Sequence, residues 1–249
     1  MERMIPQDFP KENMEQNPNS KDILSLDTPW DRWVHRPPAR IIARVLAKTS
    51  IAPNAVTLTT LIPAFLAAWF FTRSTFVSGL WALFFFYLWS MLDHVDGELA
   101  RLTKRASSIG QKLDDTCDDI ASLIILTGIF FGISHLVEGK YCWAINLIFL
   151  AGLILNIVIG SLVLHAKRRV REEALKENKV TPRFVFFQKL MDHLTGRDPF
   201  YLLVLFVLWT FFWQGEWRRI AIGVLIGGMY FICLVSFIAW VKMTHKKSS

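Results

Sequence analysis

The chain is a succession of long apolar runs separated by short, polar and mostly basic connections. The runs cover about 54–72, 77–97, 113–136, 141–165, 199–213 and 218–241. A helix needs roughly 20 apolar residues to cross a hydrocarbon layer of about 30 Å. Inside that layer a helix satisfies its own backbone hydrogen bonds, which few other structures can do. The pattern therefore predicts an all-α integral membrane protein, with six transmembrane helices forming one membrane domain over residues 51–241.

Residues 30–50 follow a different pattern. Pro37-Pro38 interrupts it, so a helix is predicted to start near residue 38. Ile41, Ile42, Val45 and Leu46 then make an apolar stripe opposite Arg40, Arg44 and Lys48, with Trp30 and Trp33 just ahead. This predicts an amino-terminal amphipathic helix lying in the membrane interface; a solvated charged face is the alternative. Residues 1–29 are polar, contain Pro6, Pro10 and Pro18, and show no apolar periodicity. They are expected to be a flexible tail, and not a signal peptide, because no apolar core follows the start. Residues 242–249 form a basic tail. No soluble domain and no internal repeat is evident.

Composition supports the membrane assignment: 53% of the 249 residues are hydrophobic and 14% aromatic. Lysine and arginine exceed aspartate and glutamate by 28 − 21 = 7. No basic patch is interleaved with stacking aromatics, so the excess points to anionic headgroups and cytoplasmic loops, with no nucleic-acid partner. The basic connections are the amino-terminal segment, 98–112, 167–199 and the tail. Six spans then put both termini and the 98–112 connection on the cytoplasmic side, although Arg218-Arg219 runs against this locally. A bacterial inner or cell membrane is expected ahead of the endoplasmic reticulum. Cys117, Cys142 and Cys233 are too far apart for a disulfide framework or a zinc site.

One polar stretch stands out between two apolar runs. It reads Asp93-His-Val-Asp96-Gly97-Glu-Leu-Ala100-Arg101, then eight residues, Gly110, three residues, Asp114, three residues, Asp118. On helices, Asp93 and Asp96 (i,i+3) share one face, as do Asp114 and Asp118 (i,i+4). Two such faces turned together make an all-oxygen cage for hard divalent cations, and for two of them when phosphates share the coordination. Gly97 and Ala100 leave room for a bulky ligand, Gly110 permits close packing or a turn, and Arg101 offers a planar fork to a phosphate. Ionisable groups at a membrane edge are costly and commonly functional.

This stretch resembles the signature of the CDP-alcohol phosphotransferases, and all eight specified positions match: Asp93, Asp96, Gly97, Ala100, Arg101, Gly110, Asp114 and Asp118. The resemblance implies two divalent cations, Mg2+ or Mn2+, held by Asp93, Asp96, Asp114 and Asp118, with Asp118 also the base for the incoming hydroxyl. It implies that Gly97, Ala100 and Arg101 face the CDP moiety of a CDP-alcohol lipid donor. Ser107 is a candidate diphosphate contact. Asn54 and Thr57, in a Pro-Asn-x-x-Thr helix opening, are candidate nucleotide contacts. The family also implies a homodimer, transfer of a substituted phosphate to a hydroxyl acceptor, and release of CMP in phospholipid synthesis. Asp119 departs from the pattern, because an arginine often follows the last motif aspartate in relatives.

Lys167 and Arg169 resemble the Lys/Arg-x-Arg that closes the fourth span in phosphatidylinositol phosphate synthases, where such cations hold the phosphate of inositol phosphate. The alternative is a positively charged cytoplasmic anchor. The Asp-Gly-Glu-Leu-Ala-Arg wording also resembles di-inositol phosphate phosphate synthases. An inositol-type acceptor is the first expectation; glycerol phosphate, serine, choline and ethanolamine stay open. Two other classes remain as alternatives. A membrane prenyltransferase would need two separated Asp-rich loops, and an ion transporter would need carboxylates deep in several spans.

Overall fold

The computed structural model describes residues 31–137, 139, 142–176, 198–213 and 216–245. The expected tail 1–29, Trp30, most of the 167–199 connection and the last four residues lie outside the described residues. Every element among them is helical. A π-type turn, Asp31–His35, leads into α1 (Arg36–Leu46). Then come α2 (Pro53–Thr59), α3 (Leu61–Phe71), α4 (Phe76–Leu102), α5 (Ser108–Leu136), α6 (Cys142–Lys176), α7 (Asp198–Phe212) and α8 (Glu216–His245).

Among the described residues, five stretches are long and apolar enough to cross a membrane: Pro53–Phe71, Phe76–Leu102, Ile109–Leu136, Cys142–Gly160 and Trp217–Val241. The expected fifth span is α7, whose apolar part, Leu202–Phe212, falls short of that length. The 15 residues of α7 rise only about 22 Å. Helix boundaries also differ from the sequence pattern. The first span is broken at Thr60, because Pro63 has no N–H to give to the Thr59 carbonyl and its ring crowds that turn. The basic stretch expected to leave the membrane at 165 instead continues as helix to Lys176.

The described residues form two compact units. One comprises Pro29–Ala151 with Leu203–Ile226; the other contains Gly152–Leu202 and Gly227–Ser249. In the second unit, Ile159, Val163 and Ala166 of α6 pack with Cys233 and Ala239 of α8. The first unit contains the acidic motif. There, α1 lies on α4 through Ala39 and Ala43, both fully buried against Met91, Val95 and Leu99, with Val56 of α2 in the same cluster. Ile42 and Leu46 join that contact, whereas Ile41, Val45 and Trp33 are exposed. The expected single stripe is thus divided between a docked side built on alanine and an open apolar side.

Across the unit, α5 meets α3 at glycine. A Cβ on Gly128 would lie 2.5 Å from Ala68 Cα, and one on Gly132 would strike the Phe71 carbonyl. Close backbone approach of this kind is a recurring way for membrane helices to associate without a hydrophobic driving force.

The join between α4 and α5 positions the acidic residues. The α4 helix runs through the motif to Leu102, past its expected end at 97, and α5 begins at Ser108 instead of 113. The connection is only residues 103–107. It opens with Lys104 in the left-handed region (φ 55°). The Arg105 N–H bonds to the Ala100 carbonyl at 3.0 Å and the Lys104 N–H to the Arg101 carbonyl at 3.2 Å. That pairing is the Schellman helix ending. It closes when Ser107 Oγ accepts the Gly110 N–H at 3.0 Å and caps α5. A non-glycine residue in that conformation costs on the order of 1 kcal/mol. Lys104→Gly is therefore expected to raise the thermal midpoint by a few degrees, measured by scanning fluorimetry in detergent.

Candidate active site

Asp93, Asp96, Gly97 and Ala100 lie at i, i+3, i+4 and i+7 along α4, and so occupy one face. Asp93 and Asp96 are buried, while Asp114 and Asp118 on α5 are partly open. One carboxylate oxygen from each of Asp93, Asp114 and Asp118 comes within 4.8 Å of the other two. The structure thus brings together three of the four expected ligands. At an effective dielectric near 20, each pair of like charges at that separation costs on the order of 3 kcal/mol. A hard divalent cation removes this cost and finds the oxygen donors it prefers. The residues present therefore fit a divalent metal.

Asp96 sits beside the triad and differs in its surroundings. It is 2% exposed, and its Oδ2 accepts a hydrogen bond from the Thr57 hydroxyl of α2. Thr57 Oγ1 also lies 3.3 Å from the Pro53 carbonyl. The hydroxyl has one proton, and the carboxylate is the stronger acceptor. Thr57, expected as a nucleotide contact, is therefore tied to the motif itself. Asn54, Ser107 and Gly110 do come together. A Cβ on Gly110 would lie 3.0 Å from Asn54 Oδ1 and 3.1 Å from Ser107 Oγ. The bare glycine leaves two polar side chains facing the same small space.

Asp115 and Asp119 are exposed and take no part in the triad. Cys117 is buried next to it, in line with a packing role. His94 bonds through Nδ1 to the Ser90 carbonyl at 2.8 Å and stacks on His35 at 5.6 Å between ring centroids. The carbonyl only accepts, so His94 Nδ1 bears the proton. Lys167 and Arg169 fall on α6, in the other compact unit; Arg169 is exposed, and the side chain of Lys167 is outside the described residues.

Arg101, expected to face a phosphate, is paired with Glu98 at 3.0 Å. Arg36 and Arg40 of α1 approach the same carboxylate. Glu98 was not singled out as a site residue, although its i,i+3 spacing to Arg101 is a readable signal. Its contact with α1 has no local signature.

Residues 50–191, more than half of the chain, match the CDP-alcohol phosphatidyltransferase family. The chain belongs to that family. The apolar helices fit a multi-pass membrane protein. The matched range holds every position of the acidic motif together with Asn54, Thr57, Ser107, Lys167 and Arg169, and leaves α1 outside. The chain is also similar to an archaetidylinositol phosphate synthase of Pyrococcus horikoshii, 30% identical over 116 residues. That alignment covers 46% of this chain and 56% of the relative, so the chain spans about half the length of the curated relative it matches.

The Thr57–Asp96 bond makes a direct prediction. Thr57→Val keeps the shape of the side chain but removes the only proton it offers to a buried carboxylate. A loss of about 1–3 kcal/mol is expected, seen as a lower thermal midpoint. Thr57→Ser should retain most of the stability.

Proposed function

We propose that the chain transfers a substituted phosphate from a CDP-alcohol, first of all CDP-diacylglycerol, to a hydroxyl acceptor and releases CMP. The observation that carries this reading is the Asp93–Asp114–Asp118 triad inside the range that matches the family. Two divalent cations, Mg2+ or Mn2+, would be held by these three aspartates and Asp96, and would neutralise the diphosphate and the CMP leaving group.

The remaining roles belong to side chains. Gly97 and Ala100 leave the α4 backbone open to the donor, and Arg101 presents its fork to a phosphate. Asn54 and Ser107, gathered on Gly110, contact the nucleotide and the diphosphate. The acceptor oxygen attacks the phosphorus that bears the lipid alcohol, and the bond from that phosphorus to the CMP oxygen breaks. Asp118 takes the acceptor's proton. Positioning and charge neutralisation supply most of the catalysis in such a transfer.

The acceptor assigned first is inositol phosphate, with Lys167 and Arg169 holding its phosphate. The similarity to an archaetidylinositol phosphate synthase supports that choice and adds a CDP-activated archaetidyl lipid to the candidate donors. The sixth crossing is assigned to α7, and a homodimer is the proposed assembly. The site lies at the cytoplasmic surface. The 27 residues of α4 extend about 40 Å, so its last turns, with Asp93 to Arg101, outreach a hydrocarbon layer of about 30 Å. The α1 helix lies in the same surface, with Ile41, Val45 and Trp33 exposed towards lipid.

The test is CMP release by purified protein, with Mg2+, a CDP-lipid and one acceptor at a time. Release is expected with inositol phosphate, to be abolished by chelation and restored by Mg2+. Asp118→Asn should lower kcat by about 10²–10⁴. Release with glycerol phosphate or serine alone would reassign the acceptor. A lack of release from any CDP-alcohol would remove the assignment and favour a prenyl diphosphate or ion-transport role.

A further inference from the structure

The last two turns of α4 hold a second charge cluster that the acidic motif does not explain. Glu98 is 15% exposed at its side chain, and its Oε1 lies 3.0 Å from Arg101 Nη2, 3.4 Å from Arg40 Nε and 3.8 Å from Arg36 Nη1. Arg101 is one turn further along α4. Arg36 and Arg40 are one turn apart on α1, so both look onto the same carboxylate. Three guanidinium groups and one carboxylate give the cluster a formal charge of +2. A surface ion pair of opposite charges would be of little consequence, but here one oxygen organises three forks, one of them on Arg101 of the same acidic motif.

Arginine has a long, freely rotating stem and a planar fork whose direction decides whether it can make two parallel bonds to a phosphate. Glu98 restricts that direction for Arg101 before any donor arrives, which lowers the ordering cost of binding. Packing of α1 on α4 does not require these charges, because Ala39 and Ala43 are fully buried against Val95 and Leu99. The cluster is therefore not needed merely to hold the helix in place.

We propose that Glu98 is a positioning residue for the donor. It aims the Arg101 guanidinium at the donor diphosphate and is itself held by Arg36 and Arg40, which makes α1 part of the donor site. This rests on the CDP-alcohol reading above, and the experiment separates the two.

Donor KM and kcat are measured for wild type, Glu98→Gln, Glu98→Asp, Arg101→Lys and the Glu98→Gln/Arg101→Lys double variant, each at two salt concentrations. Glu98→Gln is expected to raise donor KM about tenfold with kcat within about twofold, the mark of lost ground-state binding. Glu98→Asp keeps the charge but loses reach, and is expected to fall between it and wild type. In the Arg101→Lys background, Glu98→Gln should change KM less than about twofold, because the residue it orients is already altered. An unchanged KM in Glu98→Gln overturns the proposal, as does the same factor persisting with Lys at 101. A KM that falls, and falls less at high salt, also overturns it, because that is a long-range field effect. If Glu98→Gln does not elute as a folded species, the Arg36→Gln/Arg40→Gln variant is read instead. A severalfold rise in donor KM then supports the proposal and an unchanged KM overturns it. Wild-type protein that releases no CMP from any CDP-alcohol sinks the donor assignment. Wild-type turnover with independent effects at 98 and 101 sinks only the role of Glu98.

Discussion

Carboxylates held within 4.8 Å of one another repel, and the first compact unit is built to hold three of them there. Repulsion among the three opposes their assembly until a cation or a proton offsets it. The restraint comes from the helices: α5 is locked to α3 at Gly128 and Gly132, and α4 is backed by α1 through Ala39 and Ala43. The capped ends of the 103–107 connection set how the two acidic faces meet. Apolar packing thus supplies the free energy that keeps the site poised. A metal that binds the triad also stabilises the unit that presents it.

The opposite end of the same helices is aromatic. Arg73 lies over the Trp69 ring at 4.5 Å, and Phe70 stacks on Phe85 and Trp81. Aromatic rings with polar rims suit the boundary between headgroups and hydrocarbon. On α4, Trp81 and Asp93 are twelve residues apart, or about 18 Å. The helix therefore carries an aromatic anchor near its start and a charged site near its end.

Much of this was legible in the sequence, for physical reasons. Apolar runs of membrane length have few other uses, and i,i+3 and i,i+4 spacing fixes which side chains share a helical face. The grouping of Asp93, Asp114 and Asp118 followed from those two rules, and all three lie in the range that matches the family. Helix ends were harder to place. The α4 helix stops at a left-handed lysine, where a glycine would have announced it, so the connection seemed three times as long as it is. Contacts between distant segments were not readable at all. The Thr57–Asp96 bond spans 39 residues and the Arg40–Glu98 pair 58. The docked side of α1 was hidden for a related reason. The large apolar residues pointed to an interfacial stripe, but nothing in them announced the docked side, where Ala39 and Ala43 allow the close approach to α4 while Ile41 and Val45 stay exposed.

The short join between α4 and α5 has a geometric consequence. Between Arg101 and Gly110 the chain must finish a helix, reverse through Lys104 and restart at the Ser107 cap, and it does so with no slack. The eight intervening residues act as a ruler. Each residue of a helix turns the next side chain by about 100° and advances it by about 1.5 Å. One residue added within the first turn of α5 would swing Asp114 and Asp118 a quarter-circle or more away from Asp93. The spacer therefore sets the phase between two helices, and its length matters to the aspartate triad more than the identity of most residues within it.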